Sequence, residues 1–253
     1  MLLIINAEDL GAEPHIDDAS FALMDGGLVT SGNVIANGPA FEQTVTRIRD
    51  HSHCSFAVHL NLTAFQPLTR SDHLRPILDG NGFFLSSGLK DVPMTAALRT
   101  AIFDELSAQV LRVLTAGVPV THLDSHQHIH TLPKLFPILK ALQRKFRIRR
   151  IRSTINLLPL GERMAGSRLV KKYLFKLALH HAYRTLSPDG LGDFRDFYAY
   201  LTTKQLPSFR ILELMVHPGV AMAPYDREID LLKSDWQSLL PLGTALGSYH
   251  SVS

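Results

Sequence analysis

The stretch Val118-Pro119-Val120-Thr121-His122-Leu123-Asp124-Ser125-His126-Gln127-His128-Ile129-His130 passes from an apolar run into a carboxylate and a cluster of histidines. Three other segments share this grammar: Leu2-Leu3-Ile4-Ile5-Asn6-Ala7-Glu8-Asp9, Phe56-Ala57-Val58-His59-Leu60-Asn61 and Leu212-Glu213-Leu214-Met215-Val216-His217-Pro218-Gly219. Each is a short buried strand closed by acid or imidazole. In a parallel sheet the C-terminal ends of all strands meet on one face, where active sites sit, so residues far apart in sequence converge. Carboxylates with imidazoles form a donor set suited to zinc or another divalent ion. Taken singly, each piece has a plainer reading. His59 alone reads as a hydrogen-bonded core residue, and Glu8-Asp9 alone as helix-capping acids before the turn at Gly11 and Pro14. Four such strand ends in one chain argue for a site. In an extended chain alternate side chains share a face, so His126, His128 and His130 are expected to point in one direction.

Working outward, apolar strands alternate with helical patterns along the whole chain. The strands are expected at Leu2–Asn6, Gly32–Ile35, Ser55–Asn61, Val120–Asp124, Ile148–Arg152, Ile211–Val216 and Thr244–Ser248. Helices are expected at Ile16–Met24, Ala40–Arg49, Met94–Ala116, Pro133–Phe146, Ser167–Leu186 and Tyr225–Leu239. Within the third, Leu98, Ile102, Leu106, Val110 and Val113 follow the period of an amphipathic helix. This alternation predicts βαβ units, and seven of them favour a closed (β/α) barrel over an open doubly wound sheet. No linker or internal repeat divides the chain, so residues 1–253 are expected to form a single domain. Gln66–Pro93, rich in proline and glycine, is expected to run as a long excursion over the barrel mouth.

Composition narrows the function. Of 253 residues, 45% are hydrophobic and 19% charged, which excludes a disordered tail, a coiled coil or a collagen-like rod. No apolar run approaches the ~18 residues of a membrane span. Met1–Ile5 lacks the basic start and cleavage site of a signal peptide. The single cysteine, Cys54, permits no internal disulfide, and a reducing cytoplasm is the simplest compartment. The net charge of +3 is too mild to argue for nucleic acid. It is unevenly spread, with twelve Lys or Arg and one acid, Glu162, between Arg144 and Arg184.

Over residues 168–184 a helical wheel sets Leu169, Val170, Tyr173, Leu174, Leu177 and Ala178 on one apolar face, with Arg168, Lys171, Lys172 and Lys176 opposite. Phe175 and Leu179 fall among the cations. Either these two pack beneath a neighbouring loop, or the helix makes peripheral contact with the anionic inner face of a membrane. In the second case the substrate is expected to be lipid-linked.

The motifs resemble those of the YdjC-like carbohydrate deacetylases, which include chitooligosaccharide-deacetylating and hopanoid-associated members. The family's Asn-Ala-Asp-Asp-Phe/Leu-Gly is matched by Asn6-Ala7-Glu8-Asp9-Leu10-Gly11, and its Gly-Leu-His-Leu-Asn-Leu-Thr by Ala57-Val58-His59-Leu60-Asn61-Leu62-Thr63. Thr-His-Leu-Asp-Ser-His-Gln-His-Val-His stands almost intact at Thr121–His130. Gly27–Ser31, Asn37–Phe41 and Glu213–Gly219 extend the likeness from about Leu2 to Tyr249.

The resemblance implies a distorted, polysaccharide-deacetylase-like barrel that removes an N-acetyl group from an amino sugar, either chitooligosaccharide-like or lipid-linked. It implies one divalent ion, Mg²⁺ or Zn²⁺, with Asp9, His59 and His126 as ligands. His217 would be the general acid and Glu8 the base, with Asp124, His128 and Arg152 binding substrate or supporting the ligands. Glu8 stands where the family has aspartate, so its carboxylate is displaced by a methylene. Two other functions fit the same barrel: a non-catalytic sugar- or metal-binding relative, and a metal-dependent phosphoesterase. Oligomeric state is not written in the sequence.

Overall fold

β1 (Leu2–Leu10) is apolar enough to be buried on both faces, and it lies inside the sheet with strands on either side. In this computed structural model, which describes residues 1–253, β1 pairs in parallel with β7 (Ile211–Val216) from Leu2↔Ile211 to Ala7↔Val216. Its first residues also pair with β8 (Ala245–Leu246), and from Asn6 onward it pairs with β2 (Ser31–Val34). The order continues through β3 (Ser55–Leu60), β4 (Val120–Ser125) and the two-residue β5 (Arg150–Ile151) on one side, and β6 (Gly190–Asp193) beyond β7 on the other. All pairings are parallel.

The sheet curls until its edges nearly meet. Single parallel bridges, Arg150↔Leu186 and Asn156↔Leu191, link the β5 side to the β6 side. The result is a barrel closed by isolated contacts rather than by a full ladder, the distorted form that was expected.

The helices are α1 (Pro14–Asp25), α2 (Phe41–Ile48), α3 (Gly88–Asp91), α4 (Ala96–Thr115), α5 (Phe136–Phe146), α6 (Gly166–Tyr183), α7 (Phe194–Thr202) and α8 (Glu228–Lys233). One cluster of 47 buried residues runs from Leu3 to Trp236, so sheet and helices share a continuous core. α4 starts where the Thr95 hydroxyl accepts from Leu98 N, and it buries Leu98, Ile102, Leu106, Val110 and Val113, the stripe read from the sequence. The excursion after β3 is fastened to α4. Buried Glu105 accepts from Leu68 N, Thr69 N and Thr69 Oγ1. None of these helices is long and apolar enough to cross a membrane.

Several expectations change. β6 and α7 were not foreseen. β6 is Gly190-Leu191-Gly192-Asp193, where close packing removes side chains: a Cβ at Gly190 would lie 2.6 Å from the Phe209 ring, and one at Gly192 would lie 2.8 Å from Leu157 Cβ. The single helix expected over Tyr225–Leu239 is a short α8 and a separate turn at Trp236–Leu239. Strand Ile148–Arg152 shrinks to β5.

Candidate active site

Glu8 and Asp9 are adjacent, and in a regular strand adjacent side chains face opposite sides. Here the β1–β2 register shifts between Ala7 and Leu10, and Asp9 takes a left-handed backbone with φ 65°. Its N–H donates to Asn33 Oδ1 at 2.9 Å. This bulge turns both acids toward one cavity of about 300 Å³, lined also by His126, Gln127, His128, Asp193, Met215, His217 and Tyr225.

Asp9, His59 and His126 come together. His126 Nδ1 donates to Asp9 Oδ1 at 2.8 Å, and His59 Nε2 lies 3.3 Å from the same oxygen. One donor atom from each of the three side chains fits within 4.8 Å. His59 Nδ1 donates to Asp124 Oδ1 at 2.7 Å, which aims Nε2 at Asp9. Asp124 is held in turn by Asn33 Nδ2 (2.6 Å) and Arg152 Nη2 (2.9 Å).

Arg152 is fully buried and grips three carboxylates: Glu8 through both terminal nitrogens, Asp124, and Glu213 at 2.8 Å. Glu213 also accepts from the Tyr249 hydroxyl, and the Tyr249 ring stacks on His122 with centroids 3.3 Å apart. Glu8 accepts further from Asn6 Nδ2 (2.7 Å) and Asn33 Nδ2 (2.9 Å).

Electrostatics follow from this packing. Burial alone would raise the Asp9 carboxyl, but hydrogen bonds from His126 and His59 hold it well below the usual carboxylate range. Burial likewise opposes ionisation of Glu8, and the Arg152 and His59 charges outweigh it and bring the pKa down. Burial also works against a charged His59, yet Asp124, Asp9 and Glu8 push its pKa up to about 10. Glu8, Asp124 and Glu213 thus share one permanent cation, Arg152, and Asp9 is paired only with the imidazoles of His59 and His126. The remaining negative charge calls for a proton on His59 or a metal cation beside it. Two imidazoles and one carboxylate, at the rim of a cavity, suit a divalent ion with positions left open.

Just past the end of β7, the strand beside β1, the His217 ring lies 4.1 Å from that of Tyr225, and the His217 backbone N–H donates to the Glu228 carboxylate. His217 Nδ1 is buried without a hydrogen-bond partner. Burial lowers the His217 pKa, while the charges of Glu8, Asp9 and Asp193 work the other way. Burial pushes Glu228 up to about 7.

The expectation for the histidine run is corrected. The chain leaves β4 at Ser125 and turns, with φ 50° at Gln127 and 55° at His128. His126 meets Asp9, His128 lines the cavity, and His130 folds into the core with its ring hydrogen-bonded to Ser125 Oγ at 2.6 Å. Alternation holds only while the chain stays extended, so the three do not share one direction. Asp124 accepts from the His59 ring, whereas His128 makes no hydrogen bond to the ring of His59 or His126. His128 Nδ1 has no partner. Arg152 lies behind the cavity lining as a counterion to acids, with no exposed surface for substrate.

Sequence reasoning did not single out Asn33, Asp193, Glu213, Tyr225, Glu228 or Tyr249. Glu213 carried a signal, an acid within an apolar strand. Asp193 did not, because β6 itself was hidden.

The model of the YdjC-like protein family matches residues 2–239. A carbohydrate deacetylase of Geobacillus stearothermophilus is 32% identical over 145 residues, 57% of each chain. Another, from Brevibacillus brevis, is 32% identical over 148 residues, 58% of each. The matched stretch therefore spans less than two thirds of the length of these relatives. A solved structure from Enterococcus faecalis V583, named for cellobiose-phosphate cleavage, is similar with a TM-score of 0.78 at 21% identity, covering 99% of this chain and 98% of that one. A lactam utilization protein from Thermus thermophilus is similar at a TM-score of 0.51 and 12% identity, over 98% of this chain and all of that one. These two share the fold. With its family model matched over nearly its whole length, the chain belongs to the YdjC-like protein family.

Proposed function

We propose that residues 1–253 act as one catalytic domain that hydrolyses the N-acetyl group of an amino-sugar glycan, using one divalent ion, Zn²⁺ or Mg²⁺, held by Asp9, His59 and His126. The observation that carries this reading is the approach of those three side chains within 4.8 Å at a cavity that also holds Glu8 and His217. The carbohydrate deacetylases among its relatives support the same substrate class.

An amide is a poor electrophile and its amine a poor leaving group. A bound divalent ion supplies polarisation of the acetyl carbonyl and a lowered pKa for water. Glu8, ionised beside Arg152, accepts a proton from the attacking water as its oxygen bonds to the acetyl carbon. His217 delivers a proton to the sugar nitrogen as the C–N bond breaks, leaving acetate and a free amine. Tyr225 packs against the imidazole, and Glu228 holds the His217 backbone N–H. Asp124 holds the His59 tautomer, and Arg152 fixes Glu8 and Asp124 together. A cytoplasmic site of action accords with the single reduced cysteine, Cys54, which is buried.

The test is purified protein with N-acetylated chitooligosaccharides and with a phosphoester panel, each with and without chelator. Amine and acetate in equal amounts, abolished by chelator, are the expected result. Phosphate release instead would reassign the reaction. Saturable sugar binding without turnover would make the protein a binding relative.

A further inference from the structure

α6 is seated the opposite way from an ordinary amphipathic surface helix. Such a helix turns its apolar stripe to the core and its charges outward. In α6, Val170, Tyr173, Leu174 and Leu177 are each more than half exposed, and Leu169 is 39% exposed. The side that faces the protein carries Phe175 and Leu179 together with two of the cations. Leu179 is buried, and the Phe175 ring packs edge-on to Phe136 of α5 with centroids 5.6 Å apart. Lys172 Nζ donates to Asn156 Oδ1, and Lys176 Nζ donates to the carbonyls of Pro188 (3.3 Å) and Asp189 (3.1 Å). The helix is thus anchored through Phe175, Leu179 and two lysines, and its widest apolar face points to solvent.

Charge surrounds that face. α6 contains no acid, and its exposed Arg168 and Lys171 lie at its N-terminal end. Exposed Arg144 and Arg149 donate to the carbonyls of Ala182 (2.8 Å) and Arg184 (3.1 Å), which brings them and Arg184 to the C-terminal end. Arg168, Lys171 and Lys172 also line a cleft of about 220 Å³ with Thr131 and Pro133. Thr131 Oγ1 donates to the carbonyl of His128, so this cleft and the candidate active site share the turn that follows β4.

We propose that the exposed face of α6 docks on an anionic bilayer surface. Leu169, Val170, Tyr173, Leu174 and Leu177 enter the boundary between headgroups and acyl chains while the flanking arginines and lysines meet lipid phosphates. The charge pattern favours lipid over a second copy of the chain. Two such faces brought together would oppose their basic rims, and the acid beside Tyr173 and Leu177, Asp189, is already paired with Arg210 at 3.5 Å, whereas an anionic bilayer satisfies both the apolar surface and its charge. Docking by this helix sets the turn bearing His126 and His128 close to the membrane, where acetylated sugar on a lipid anchor is presented. The docking itself does not depend on the proposed reaction, because its readout needs no turnover.

The experiment is co-sedimentation of the full chain with vesicles of equal parts phosphatidylglycerol and phosphatidylcholine, and with pure phosphatidylcholine. Binding is expected to the anionic vesicles only, at low salt. It should fall as salt shortens the screening length from about 10 Å at 0.1 M to about 3 Å at 1 M. Lys171→Gln should weaken partitioning roughly fivefold, the value of one cation near such a surface. Val170→Gln with Leu174→Gln should abolish it while leaving the urea unfolding midpoint unchanged, since both side chains are exposed. Failure of the wild type to sediment with anionic vesicles at low salt overturns the proposal, as does full binding by the double variant. A concentration-dependent dimer that the double variant abolishes, with no vesicle binding, assigns the face to a second copy instead.

Discussion

Replacing Arg152 with methionine keeps much of the side chain's volume and removes its guanidinium from beneath Glu8, Asp124 and Glu213. All four side chains are buried, three of them with no exposed surface. Breaking a buried ion pair by deleting one partner costs about 3–5 kcal/mol, because the other charge is left without compensation. Against a typical total of ~5–15 kcal/mol, that is a large fraction of the folding free energy. For a chain of this size it corresponds to a Tm loss of about 6–20 °C.

The pH dependence distinguishes this cause from mere repacking. In the wild type, Glu8 and Asp124 have folded pKa values below their unfolded ones, so their contribution is present near neutrality and is lost as pH falls through the acidic range. In Arg152→Met the same carboxyls, and Glu213, should titrate above their unfolded values. Their penalty is then full near neutrality and relieved as pH falls toward ~4. Urea unfolding followed by circular dichroism in chelator, at pH 7 and at successively lower pH, should show the two proteins converging. A loss below ~1 kcal/mol, or a loss of constant size across that range, would refute the account of Arg152 as the counterion of this cluster.

His59→Ala and His126→Ala should each remove bound metal and activity together while the far-ultraviolet circular dichroism persists. Stoichiometric metal in both purified variants would remove them from the ligand set. Glu8→Gln should retain metal and lower kcat by ~100-fold or more, whereas near-normal kcat would take Glu8 out of the mechanism. Glu8→Asp restores the family's residue, and a faster enzyme would show the longer side chain to be a compromise. Burial pushes the Cys54 thiol up to about 12, above its unfolded value, so its contribution is full below pH 9 and is lost as pH rises from there. Cys54→Ala should therefore show a shallower alkaline fall in Tm than the wild type, and identical slopes would contradict this.

The central strands and the convergence of Asp9, His59 and His126 were legible because buried parallel strands write themselves as apolar runs and their C-terminal ends must meet. What stayed hidden depended on neighbours distant in sequence. β6 carries two glycines because Phe209 and Leu157 occupy the space of their side chains, and propensity reads such a stretch as loop. α6 shows the same limit differently. Its periodicity was plain, but periodicity names a face and not the direction it points. Lys172 and Lys176 reach Asn156 and two backbone carbonyls, and those partners orient the helix.

The Glu8-Asp9 pair marks the sharpest boundary between what a pattern shows and what tertiary structure supplies. Alternation would send one acid to the cavity and the other to the far side of the sheet. The left-handed backbone at Asp9, secured by Asn33, cancels that alternation at the one place where both carboxylates are wanted. Aspartate tolerates this conformation better than most residues, which suits it to the second position of the pair. Asn33 also donates to Glu8 and Asp124, so a single amide ties together the bulge, the candidate base and the carboxylate behind His59. The extra methylene of Glu8 ends in a cradle of Asn6, Asn33 and Arg152. Those donors fix where the carboxylate lies, so its position is set by the buried network rather than by side-chain length alone.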